Sequence, residues 1–204
     1  MIEQIKTSIL LLSVSILLAL LTACSNEPGN SSTANSAPIV KTEPAKPASD
    51  KGDMVVTGGD LAFMNDAAPG GMAEVELGKL AAQKAQNAEV KAFGQKMVED
   101  HSKAGEELKA LAAQKKVMLP ADVLPTHKEV MAKLSKLSGA DFDKEYVAAM
   151  VAAHEKDVAA FENVSKTAAD ADVKAFATKT LPTLKMHLEM VKGMADKMGV
   201  QMKS

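Results

Sequence analysis

The seven residues Asn87-Ala88-Glu89-Val90-Lys91-Ala92-Phe93 recur as Asp170-Ala171-Asp172-Val173-Lys174-Ala175-Phe176. Each copy follows one helical pattern and opens the next. Asn87 and Asp170 stand where a helix cap belongs, since a short polar side chain there accepts amide protons of the first turn. Only two or three residues separate the first two helices, so they must lie antiparallel. The chain therefore reads as two helical hairpins. Between them, Val117 to Ser138 is broken by Leu119-Pro120 and Leu124-Pro125, and Pro125 suits the first turn of a short helix, predicted over about Thr126 to Leu137. Short, long, short connectivity is that of a ferritin-like four-helix bundle; an up-down-up-down bundle would need three short loops.

Hydrophobic spacing places the four long helices. The first is expected over about Gly59 to Gln86, interrupted or kinked at Pro69-Gly70-Gly71, because proline removes a helical hydrogen bond and glycine is a poor helix former. The second, about Ala88 to Lys115, has the seam Val90, Phe93, Met97, His101, Ala104, Leu108 and Leu111, at steps of three and four. The third, about Asp141 to Lys166, carries Val147, Met150, Val151, His154, Val158 and Phe161. The fourth, about Ala171 to Met198, carries Val173, Phe176, Thr180, Leu184, His187, Val191 and Met194, with a kink expected at Pro182. An imidazole thus stands in three apolar seams.

The chain ahead of the helices reads as delivery and tether. Ile9 to Leu21 is an apolar run 13 residues long, broken only by Ser13 and Ser15, too short for a membrane-spanning helix of about 20. It ends in Leu21-Thr22-Ala23-Cys24, which resembles a bacterial lipoprotein signal with Cys24 lipidated as the mature N-terminus. Ser25 after it suggests the outer membrane, facing the periplasm, in a Gram-negative host. Residues 1–23 are thus assigned to the signal peptide, 24–57 to the lipidated Cys and a Ser-, Pro- and Lys-rich disordered tether, 58–199 to the bundle, and 200–204 to a tail. The expected partner is the membrane, through the anchor. Nucleic acid is not expected: all 24 basic residues are Lys, and aromatics are 3% of the chain, so neither bidentate arginine contacts nor stacking platforms exist.

Ala73-Glu74-Val75-Glu76-Leu77-Gly78, Met97-Val98-Glu99-Asp100-His101, Leu119-Pro120, Ser138-Gly139 with Phe142-Asp143 and Tyr146, Met150-Val151 with His154, and Leu181-Pro182 with His187 resemble the bacterial domain-of-unknown-function family 4142. The resemblance runs from about Asp60 to Met194. It implies a ferritin-like fold in an outer-membrane or periplasmic protein and brings no established activity.

Counting from the turns compares heights in the bundle. Glu74 lies 13 residues before Asn87 and His101 14 after it; His154 lies 16 before Asp170 and His187 17 after it. Each pair is level, and the pairs are offset by roughly 4–5 Å along the axis. Asp157 matches Glu74 under the repeat. Glu74, His101, His154 and His187 are therefore candidate metal ligands, with Asp100, Asp157 and Glu76 as secondary candidates. Such a set suits Fe, Mn, Zn or Cu. The Glu-x-x-His pairs of di-iron bundles are missing: Val98, Val151 and Leu184 stand three residues before the histidines, which argues against di-iron chemistry. Met97, Met150 and Met190 allow a sulfur-assisted copper reading, against which stands their ordinary role as gap fillers. His127 reads as surface.

Two functions remain open. One is a non-enzymatic envelope protein in which the histidines form a buried network with Asp100 or Asp157. The other is a metal-binding or metal-dependent redox protein. No catalytic residue is assigned. The separating observation is whether the three imidazoles approach within about 5 Å of one another, close enough to share an ion at roughly 2 Å per bond.

Overall fold

The computed structural model describes Val56 and residues 58–201. The signal segment, Cys24 and almost all of the tether lie outside those residues. Five helices follow in order: α1 (Gly58–Lys84), α2 (Ala88–Gln114), α3 (Pro125–Ser135), α4 (Gly139–Thr167) and α5 (Ala171–Met198). The described residues form no strand. α1 packs along α2, and α4 along α5. The fold is the expected all-α bundle of two hairpins, with α3 in the crossover.

The repeated heptapeptide does the same work twice. Asn87 Oδ1 accepts from the amides of Glu89 and Val90, and Asp170 Oδ1 from those of Asp172 and Val173. Each turn is also held from the opposite hairpin by a buried carboxylate. Asp143, near the start of α4, accepts from the Gln86 and Asn87 amides at 3.1 and 2.7 Å. Asp60, on the first turn of α1, accepts from the Asp170 amide at 2.7 Å. These bonds satisfy backbone donors that helix ends leave unpaired, and they tie each hairpin's start to the other's turn.

α1 runs through Pro69-Gly70-Gly71 without interruption. A proline removes one hydrogen bond, and here the turns on both sides are anchored: Met64 is fully buried and Ala73 nearly so. Tertiary burial outweighs a local penalty of about 3 kcal/mol. α5 likewise continues through Pro182.

The core is divided. Leu77, Phe93, Met97, Phe142, Tyr146, Met150 and Val191 fill the half toward the first turn and the crossover helix. Phe63, Met64, Leu108, Phe161, Val173, Phe176 and Leu184 fill the half toward the second turn, joined by Val56 from the chain before α1. Between these halves, on each of α2, α4 and α5, the side chain facing inward is a histidine.

Candidate metal centre

The seam positions that would otherwise hold leucine or valine are His101 on α2, His154 on α4 and His187 on α5. His154 and His187 are wholly buried and His101 nearly so. Ring centroids lie 5.7 Å apart for His101–His154, 5.4 Å for His101–His187 and 5.4 Å for His154–His187. One nitrogen from each ring lies within 4.8 Å of the others; atoms sharing an ion at about 2 Å per bond stand at most about 4 Å apart, so the rings would close by about 1 Å to share one.

Each ring is held from behind. His101 Nδ1 lies 3.0 Å from Glu74 Oε2. His154 Nδ1 donates to the Met150 carbonyl at 2.9 Å, and Glu74 Oε1 lies 3.5 Å from the same nitrogen. His187 Nε2 donates to Asp100 Oδ2 at 2.7 Å, and Lys96 closes on that carboxylate at 3.0 Å. A carbonyl can only accept, so His154 is protonated on Nδ1 and its Nε2 is bare. Ionised carboxylates impose the same logic on the other two rings. The opposite nitrogens, His101 Nε2, His154 Nε2 and His187 Nδ1, are buried and have no partner.

Electrostatics keeps the rings neutral. Burial pushes His101 down to about 4. Burial also lowers His154 and His187, against the pull of Glu74 on the first and Asp100 on the second. Burial pushes Glu74 above the usual carboxylate range. Burial and the neighbouring Glu74 charge push Asp157 up to about 8. One proton held on that pair relieves the repulsion between the two buried carboxyls. Burial works against the charge on Asp100, but hydrogen bonds from His187 and Lys96 outweigh it and hold the carboxyl below its ordinary value.

The structure thus brings Glu74, His101, His154, His187, Asp100 and Asp157 together. Glu74 and Asp100 stand behind rings, in the position of outer partners that orient metal-binding histidines. Glu76 is exposed and paired with Lys79 at 2.7 Å, away from the cluster. Met97 and Met150 are core side chains and Met190 is exposed. His127, expected at the surface, is half-buried at the start of α3. Tyr146 entered the sequence reading only through the family motif. Its hydroxyl is buried without a partner, and burial together with the Glu74 charge raises it above the ordinary tyrosine range.

Neutral buried imidazoles make the metal-free protein acid-sensitive. Their native values lie below the ordinary 6.5, at about 4 for His101. Above pH 6.5 both folded and unfolded chains hold them neutral, and their stabilisation is complete. As pH falls from about 6.5 toward 4, the unfolded chain binds protons that the native chain refuses, so stability falls. The Glu74–Asp157 pair has the opposite sign, losing its contribution as pH rises through about 8. Three imidazoles outnumber that one shared proton. The melting temperature of metal-free protein should therefore decline steadily from pH 6.5 to 4; a flat or rising profile contradicts the assignment of neutral rings.

The family described as Domain of unknown function (DUF4142) matches residues 44–194. No curated protein matches the chain. Among solved structures, a DUF305 fragment from Deinococcus radiodurans shares 14% identity at a TM-score of 0.61, covering 70% of this chain and 98% of that one. CopM in its Cu(II)-bound form shares 18% identity at 0.59, covering 68% and 96%. CopM in its Cu(I)-bound form shares 18% at 0.58, with the same coverage. At these identities the likeness is one of fold.

Proposed function

This chain belongs to the DUF4142 family, whose description assigns no activity, and we propose that it is an extracytoplasmic copper-binding protein with His101, His154 and His187 as ligands. The observation that carries this reading is the set of three buried imidazole nitrogens, one on each ring, that have no hydrogen-bond partner. A closed polar network would satisfy them. Left bare, each costs about 1–3 kcal/mol, and one nitrogen from each ring lies within 4.8 Å of the others, a clustering that suits a cation. Imidazole suits copper and zinc, and Cu(II) stands above Zn(II) in intrinsic affinity. That CopM, of the same fold, is described in Cu(I)-, Cu(II)- and Ag-bound forms favours copper. Such an ion would supply one-electron chemistry between Cu(I) and Cu(II). The chain's own residues bind it, orient the rings and exclude water; Glu74 and Asp100 are reassigned from candidate ligands to orienting partners.

The test is the metal content of soluble protein beginning after the tether and purified without a His-tag. About one copper per chain and a raised melting temperature are expected. No stoichiometric metal, together with no thermal shift on adding Cu, Zn, Fe or Mn, removes this function and restores the structural network.

The site of action rests on the leader and Cys24, which lie outside the described residues. No helix among the described residues is long and apolar enough to cross a membrane. Acylation at Cys24 would hold the bundle at a membrane surface. The variant C24S should lose acylation and leave the membrane fraction; a variant still recovered with membranes would show that another element attaches the protein.

A further inference from the structure

The triad is sealed by apolar layers above and below, so an ion needs a side way in. A cavity of about 480 Å³ opens beside the site, between α1, α2 and the Leu119–Val123 stretch of the crossover. Its inner wall includes His101, Glu74 and Asp157 but neither His154 nor His187. His101 is also the only ring of the three with measurable exposure, 7% against 0% for the others. Gly71 and Gly105 line the cavity, and a Cβ built at either would meet nothing within 4 Å. The wall therefore has room where side chains are missing. Glu76, Glu106, Lys109 and Asp122 stand at its exposed rim, with Glu76 paired to Lys79 and Asp122 to Lys128, so the rim is polar and charge-balanced and admission rests on the opening itself. On the opposite side, Asp100 meets both His187 and Lys96.

We propose that this cavity is the port through which the site exchanges its ion, with His101 as the first ring an arriving cation meets. The inference rests on the copper-binding reading above. The volume is more than a bare ion needs and lies in the range of small-ligand pockets, about 300–1,000 Å³. It therefore admits a hydrated cation or one carried by a small donor ligand. His154 and His187 then complete the coordination deeper in the bundle.

Filling the port tests this. Both glycines are helical with ordinary backbone angles, so larger residues there favour folding. The double variant G71L/G105L should slow copper uptake, and copper loss to a competing chelator, by about tenfold or more. The dissociation constant should stay within about twofold, because a plug slows both directions together. The control G193L adds a leucine at an exposed helical glycine outside the cavity wall and should exchange at the wild-type rate. Unchanged rates in the plugged protein, or an equal slowing in G193L, would overturn the port while leaving copper binding intact. Wild-type protein that takes up no copper at all would instead overturn the functional reading, and the port with it.

Discussion

Replacing His154 with leucine should abolish tight copper binding and leave the metal-free protein as stable as before. The two halves of this expectation come from different atoms. His154 Nε2 is one of the three bare nitrogens. Removing it should weaken copper by more than the roughly 10–100-fold that loss of an orienting partner costs. The other ring nitrogen donates only to the Met150 carbonyl, which already serves the helix. Glu74 Oε1, 3.5 Å from that nitrogen, has no hydrogen-bond partner to begin with, so no bond to it is lost when the ring goes. Leucine is close in volume and removes an unsatisfied nitrogen, so metal-free stability should change by less than about 1.5 kcal/mol. His101→Leu is the contrast: it strands the buried Glu74 carboxylate and should cost about 1–3 kcal/mol or more. Copper titration and chemical denaturation of both variants check this. Should His154→Leu keep wild-type copper affinity, the triad is not the site. Should it unfold the metal-free protein, the ring serves a structural network.

The second large effect lies where α1 and α2 touch. A Cβ at Gly94 would sit 2.8 Å from both Ala81 Cβ and the Gly78 carbonyl, and 3.0 Å from the Ala82 amide. Two of those contacts are backbone and cannot turn away. Gly94→Ala must push the helices apart, at about 3 kcal/mol, against a gain of about 1 kcal/mol in helix propensity. The net loss, about 2 kcal/mol, is a large part of a domain's 5–15 kcal/mol (a general order of magnitude). Gly105→Ala in the same helix meets nothing within 4 Å and should stabilise by about 1 kcal/mol. Denaturation midpoints moving in opposite directions are expected; a shift of the same sign in both would show that the close approach carries no weight. The approach also serves the site. Gly78 is one turn from Glu74, so spreading the helices draws that carboxylate off His101 and should weaken copper as well.

Much of this was legible in the chain. The repeated cap at Asn87 and Asp170, the prolines of the crossover and the seam spacing predict helices that end within a few residues of those observed. Counting from the two turns also brought Glu74 level with His101, now seen at 3.0 Å. Other features were not read. Pro69 suggested an interruption, because local penalties are visible in a sequence and the burial of Met64 and Ala73 that offsets them is not. Asp143 entered only within the family motif and Asp60 only as the edge of the resemblance, and their bonds to the opposite turns span 56 and 110 residues. Gly78 and Gly94 passed unnoticed, though they face each other from nearly equal distances on either side of Asn87.

The sequence by itself determined the helices, their order, the antiparallel pairing and the level of each polar side chain, because periodicity, capping and rise per residue are local properties of the chain. Only the tertiary structure decided what those side chains do. The sequence offered Glu74 as a ligand beside three histidines. In the bundle it stands behind His101, and Asp100 stands behind His187. Which nitrogen carries the proton depends on an acceptor supplied by another helix, or by the ring's own previous turn. That choice turns three seam histidines into three bare nitrogens facing one another.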